Sequence, residues 1–317
     1  MNYGKCFLFV VLLCMFVVTG VGATDFYMLQ TSDTHYIGGM ICNGSRACVQ
    51  AMNNMPGMSW PYGTIGTPTG LIVCGDLCDG GAWGTTYASD LDAWYTNRDY
   101  EHQWNGFDYN FPQYGVQGDN NRCRYPSYSV GGNHDYWRWC GYTLGTSTYV
   151  ANKLYTRHGG GVSGEGNNYY AYNINGIRFV ALGRYPDATV RSWLASYLAS
   201  IGTTTPVVLF LHYALNDDEE WWSYAVRDAL ADVLDGYNII AILHGHTHNT
   251  MHYTWEGYDV YDDGSATYFG GINVLHITDD TLEVAHYYAI CSGGDPDETA
   301  GGYWDGGYFT WSYSKSY

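Results

Sequence analysis

Charge is what this chain has least of. Only 14% of its 317 residues are charged, and 13 Lys and Arg stand against 31 Asp and Glu, a net charge of −18. Nucleic-acid backbones are bound mainly through Lys and Arg, so no nucleic-acid partner is expected, and the lack of a basic stripe argues against a nuclease. No internal repeat is present. No run beyond residue 23 is long and apolar enough to span a bilayer, so no membrane span is expected once the leader is removed. The scarcity of charge does not mean disorder: 46% of the residues are hydrophobic, enough for a real core in one large domain with at most a small appendage.

The N-terminus reads as a secretory signal. Lys5 precedes "CFLFVVLLCMFVVTGVGA", and Val21 and Ala23 offer small residues for a cut before Thr24. The division expected is signal peptide 1–23, catalytic domain 24–290 and a Gly- and aromatic-rich tail 291–317. The mature protein is then secreted; an uncleaved signal acting as a membrane anchor is the alternative, because the apolar run is long. Of the 9 cysteines, Cys6 and Cys14 fall in the signal, which leaves seven. In an oxidising compartment some should pair, and Cys42–Cys48 and Cys123–Cys140 are the candidate disulfides. Cys74 lies within an apolar run and reads as a buried thiol. Asn43-Gly44-Ser45 is a glycosylation acceptor if the host is eukaryotic.

Five apolar runs predict strands: "DFYMLQTSD" (25–33), "GLIVCGD" (70–76), "PSYSV" (126–130), "PVVLFLH" (206–212) and "NIIAILHGH" (238–246). The continuous ones suit strands covered on both faces. Residues 188–201 and 219–237 carry apolar residues at helical spacing and stop at Gly202 and Gly236. Residues 168–183 read as a hairpin turning at Asn175-Gly176. Alternation of strands and helices indicates an α/β architecture. The intervals 36–69 and 79–124 are long and polar, the mark of functional loops.

Every apolar run ends in Asp, Asn or His. The ends are Asp33-x-His35, Gly75-Asp76-x-x-Asp79, Gly132-Asn133-His134-Asp135, His212 and Gly245-His246-x-His248. In open α/β sheets ligands bind at the carboxyl ends of strands, so one rim should gather these side chains. Imidazoles and carboxylates together suit Zn, Mn or Fe. The set exceeds one four-coordinate site, and two divalent or trivalent ions sharing a carboxylate fit it better.

In this order the motifs resemble those of the calcineurin-like metallophosphoesterases, over about residues 25–290, and closest to secreted members. The purple acid phosphatase branch has a tyrosine where this chain has Asp79. The resemblance implies a four-layer sandwich of two mixed β-sheets flanked by helices, with a dinuclear site at the strand ends. It implies that Asp33, His35 and His248 hold one metal, that Asn133, His212 and His246 hold the other, and that Asp76 bridges them. It implies a phosphate monoester or diester as substrate, attack by a metal-bridging hydroxide, His134 assisting the leaving group, and Asp135 orienting His134.

Each residue also has a plainer reading. A lone strand-end Asp is usually a cap or turn former, and Asp79 is expected to cap a helix rather than support a ligand. His212 alone would be a core histidine. His244, one residue before Gly245, should point away from the site. Trp221-Trp222 reads as helix packing, and the many Tyr and Trp as fillers of ordered loops rather than a substrate platform. These plain readings fail jointly, because they leave five matched strand ends unexplained. A different class of function is a non-catalytic secreted binding or surface protein on the same scaffold. Arg122, Arg124, Arg138 and Arg184 are candidates to reach a phosphate.

Overall fold

The computed structural model describes residues 24–36, 43–79, 100–136, 148–216, 219, 221–292 and 303–317. The signal segment, Cys42, Arg138 and Cys140 lie outside these residues, and with them both candidate disulfides.

All five apolar runs form strands: β1 (Asp25–Thr31), β4 (Pro68–Cys74), β5 (Ser127–Val130), β9 (Val207–Phe210) and β10 (Ile239–His244). The remaining strands are β2 (Ser59–Trp60), β3 (Gly63–Thr64), β6 (Gly161–Val162), β7 (Asn168–Ile174), β8 (Ile177–Ala181), β11 (Thr250–Trp255), β12 (Tyr258–Asp263), β13 (Gly271–Thr278), β14 (Thr281–Ser292) and β15 (Tyr303–Ser316). Six strands in the order β15-β14-β13-β1-β4-β5 make one mixed sheet, and seven in the order β11-β12-β10-β9-β8-β7-β6 make the other. The helices are α1 (Asn43–Asn54), α2 (Tyr100–Asn110), α3 (Thr148–His158), α4 (Ala188–Ile201), α5 (Tyr224–Leu234) and the single turn α6 (Ala266–Phe269).

Three apolar layers separate four layers of structure. Met28, Ile72 and Val130 of the first sheet meet Phe179, Val208, Phe210 and Ile240 of the second. The outer face of the first sheet, with Leu29, Leu71 and Val73, packs on Val49, Met52, Phe107 and Leu154 of α1 to α3. The outer face of the second, with Val180 and Leu209, packs on Leu194, Leu198, Leu230 and Leu234 of α4 and α5. β4, β9 and β10 are covered on both faces, which is why their apolar runs are nearly unbroken.

Helix ends follow local chemistry. Asp187 caps α4 by accepting from Thr189 and Val190 N–H, and the chain leaves at Gly202 (φ 81°). α5 is shorter than its pattern predicts and begins only after Ser223. Trp222 leaves the helix and becomes core, its indole N–H donating to Ala214 O at 2.8 Å. The β7–β8 hairpin turns at Asn175 and Gly176, both at positive φ, as a two-residue turn demands. The long polar intervals also hold α1 and α2, and residues 303–316 of the tail complete the edge of the first sheet as β15, paired along β14.

β15 also seals His286 of β14. Its Nε2–H donates to Asp263 O at 3.0 Å, and its Nδ1 accepts from the Thr310 hydroxyl at 2.6 Å. Burial pushes the imidazole down to about 4, so it stays neutral in the fold. The unfolded chain takes up that proton near 6.5. Stability is therefore intact above that pH and is lost as pH falls toward 4, by on the order of 3 kcal/mol. A Tm-versus-pH series on wild type and His286→Gln should show a shallower acid limb in the variant.

Candidate active site

The carboxyl ends of β1, β4, β5, β9 and β10 meet at one edge, where the two sheets come together. Asp33 N–H donates to Gly75 O and His35 N–H to Asp76 O, each at 2.9 Å, so the first two strand ends stay in register past the sheet. Gly245 N–H donates to His212 O at 3.2 Å and joins the last two. Asp33, His35, Asp76, His246 and His248 all adopt positive φ, between 40° and 75°. Left-handed backbone costs a non-glycine residue about 1–2 kcal/mol. Five such residues in one place point to a function that the surrounding structure holds against that cost.

Two groups hold the expected ligands: Asp33, His35 and His248 make one, and Asp76, His212 and His246 the other; a third, His35, Asp79 and His134, shares His35, and the ligand atoms in each group lie within 4.8 Å of one another. His248 Nε2 lies 3.2 Å from Asp33 Oδ1 and 3.4 Å from His35 Nε2. His212 Nε2 lies 2.9 Å from Asn133 Oδ1 and 3.3 Å from Asp76 Oδ2. Asp76 Oδ2 also lies 3.8 Å from His35 Nε2, so the same oxygen faces both groups. The chain thus brings together all seven residues expected as ligands.

The donor set fits a cation. His212 Nδ1–H donates to Cys74 O at 2.7 Å, which turns the lone pair of Nε2 toward two oxygen acceptors. His35 Nδ1–H donates to Asp79 Oδ1 at 3.1 Å, and its Nε2 faces His248 and two carboxylates. Converging lone pairs in a buried place call for a proton or a metal between them. Burial alone would lower His212, but Asp76 beside it raises it to about 9. Against its own burial, Asp33 is held well below the usual carboxylate range by His248 and His35. Burial pushes His246 down to about 3, so it is a neutral imidazole, the form that binds metal.

Glycine is required where the loops touch. A Cβ on Gly132 would stand 2.1 Å from Asp76 Oδ1 and 2.4 Å from Asp76 N. The second of these is backbone and cannot yield. Gly132→Ala is therefore expected to displace the Asp76 carboxylate, cost roughly 1–3 kcal/mol of stability, and lower bound metal measured by plasma mass spectrometry.

The structure departs from the sequence expectations at two residues. Asp79 was expected as a helix cap, yet its carboxylate supports His35 and its carbonyl receives His134 Nδ1–H at 2.9 Å. Asp135 was expected to orient His134. Its carboxylate is instead used by the N–H groups of Leu77, Cys78 and Gly132, at 3.1, 2.9 and 2.7 Å, and it ties two ligand loops together. Burial, with Asp76 adding to it, pushes this carboxyl up to about 6. Trp221 packs against the layer that α4 and α5 cover, as expected, and its ring also lies 4.6 Å from that of His246. His244 behaves as expected: buried, with Nε2 paired to Tyr253 OH at 2.8 Å. Arg122 donates to Tyr109 O and Arg124 to Asn53 O, while Arg184 lies over the Tyr136 ring at 4.5 Å, beside the GNHD loop.

Sequence reasoning missed Asp262 and Asp263. Both are fully buried behind the first group, and burial raises both carboxyls. Ser32 hydroxyl joins Asp33 to this layer by contacting Asp33 Oδ2 and, at 3.1 Å, Asp263 Oδ2. Gln30 Nε2 donates to Asp263 Oδ1 at 3.0 Å, and Thr247 hydroxyl donates to Asp262. The signal was present: β12 also ends in a pair of carboxylates.

Comparison with known proteins agrees with this geometry. The calcineurin-like phosphoesterase family profile matches residues 26–250. Solved structures with the same fold include PhoD, at 10% identity and TM-score 0.54, covering 92% of this chain and 70% of that one. Another is GAP50, described as the anchor in the inner membrane complex of Plasmodium, at 11% identity and TM-score 0.52, covering 89% and 90%. Purple acid phosphatase 22 of Arabidopsis thaliana is 33% identical over 91 residues, which span 26% of this chain and only 21% of that protein. The chain belongs to the calcineurin-like phosphoesterase family. Its Asp and His clusters at the strand ends are suited to divalent metal ions.

Proposed function

We propose that this protein is a secreted phosphoesterase that works with two metal ions and hydrolyses a phosphate monoester or diester. Asp33, His35 and His248 would hold one ion, Asn133, His212 and His246 the other, and Asp76 both. Bound there, the ions would polarise the phosphoryl oxygens and lower the pKa of an attacking water. The observation that carries this reading is the position of Asp76 Oδ2, 3.8 Å from His35 Nε2 and 3.3 Å from His212 Nε2.

The chain's own residues supply the rest. His134 N–H donates to Asp76 Oδ1 at 2.8 Å and steadies the shared carboxylate. With His134 Nδ1–H donating to Asp79 O, a proton passed to the departing oxygen would have to come from Nε2 of the doubly protonated ring. The Asp135 carboxylate locks the two loops that carry Asp76 and His134. Secretion rests on the pattern of residues 5–23. Among the described residues no helix is long and apolar enough to cross a membrane.

The likeness to GAP50 favours a second reading, a non-catalytic scaffold. Against it stands His134, which holds no predicted ligand position and which a binding scaffold does not need. Assays of phenyl phosphate and diphenyl phosphate hydrolysis, with wild type and His134→Ala, separate the two. Turnover lost in the variant supports the enzyme; bound metal without turnover on either ester supports the scaffold.

A further inference from the structure

Tyr268 stands beside the candidate ligands with half of its surface open. It is 52% exposed although its position is fixed. Its N–H donates to the Ser265 hydroxyl that caps α6. α6 in turn is tied to the end of β1, through Ala266 N–H to Ser32 O at 2.9 Å and Thr267 hydroxyl to Thr34 O at 2.6 Å. The Tyr268 ring lies 5.0 Å from the His248 ring and 5.5 Å from the His35 ring. The His35 ring is also 4.6 Å from that of His134. Tyr268 and His134 therefore flank the same imidazole. Phe269, 44% exposed, extends the apolar surface beside it.

A half-exposed ring gains little from burial, and its anchored backbone keeps it from collapsing onto the core. It contacts the same His35 ring as His134, the residue proposed to protonate the leaving group. We propose that Tyr268 is the platform for the leaving group, and that the site prefers phosphate esters whose leaving group is a flat aromatic ring. This inference rests on the phosphoesterase reading above. Trp221 is the competing platform, and its ring lies against His246 of the other ligand group.

The test compares phenyl phosphate with glycerol phosphate in kcat/KM, and phenylphosphonate with methylphosphonate in calorimetric Kd, on the metal-loaded protein. Tyr268→Ala should lower kcat/KM for phenyl phosphate and affinity for phenylphosphonate by roughly 10-fold, the scale of ring stacking on an aromatic side chain. The alkyl compounds should lose far less, and Tyr268→Phe should keep the aryl preference. Equal losses for aryl and alkyl compounds, or a selective aryl loss in Trp221→Ala alone, would overturn the proposal. If wild type hydrolyses neither ester, the phosphoesterase reading fails. The phosphonates then decide the platform by themselves: an aryl preference lost in Tyr268→Ala supports it, and no preference overturns it.

Discussion

His134→Ala should lower kcat for an ester with a poor leaving group by about 10²–10⁴, the usual contribution of a positioned general acid. Bound metal should stay unchanged, because His134 is not one of the seven predicted ligands. The size of the effect should follow the leaving group. An alkoxide needs its proton in the transition state, whereas nitrophenolate departs almost unaided. Glycerol phosphate should therefore suffer more than 4-nitrophenyl phosphate, and a plot of log kcat against leaving-group pKa should steepen in the variant. A purely structural role for His134 would depress every ester alike. The variant's Tm should be read alongside, because it also removes the Nδ1–H bond to Asp79 O and the ring contact with His35.

Asp76→Asn should cost both metal ions. The carboxylate is buried, and one of its oxygens faces His35 and His212 together while the other receives His134 N–H. An amide keeps the shape but removes the negative charge that offsets two cations, and it presents N–H₂ where a lone pair is needed. Burial opposes ionisation of Asp76, yet His212 and His134 hold it well below the usual carboxylate range, so it is ionised at every working pH. Its loss should lower metal content below one ion per chain and kcat/KM by at least roughly 10³, equivalent to about 4 kcal/mol of transition-state stabilisation. The folded apo protein should not be weakened in proportion, because the variant also removes a buried charge.

Legibility in the sequence tracked how local the cause was. β4, β9 and β10 were readable because covering both faces forces a continuous apolar run. α4 was readable to the residue because Asp187, three buried positions and Gly202 all act within one segment. α2, "YEHQWNGFDYN", was not, since its helix rests on packing of Trp104, Phe107 and Phe111 against the first sheet rather than on a clean apolar stripe. β15 was hidden for a related reason: its Gly- and Tyr-rich sequence gains strand structure only by lying along β14. Within the site, motif order named the seven convergent residues. It did not reveal what supports them. Asp79 and Asp135 exchanged their expected tasks because which carboxylate meets an imidazole and which meets backbone N–H groups depends on how two loops fold over each other. Asp262 and Asp263 carry no motif, and only the chain Asp33–Ser32–Asp263 shows that they back the first ligand.

The central claim is that two cations share Asp76. It is tested most directly by counting metal per chain in the purified mature protein, by plasma mass spectrometry after equilibration with Zn, Mn or Fe and removal of excess. The account predicts two ions per wild-type chain and fewer than one in Asp76→Asn. Wild-type protein that retains none of these metals, or an Asp76→Asn protein that still holds two, would contradict it.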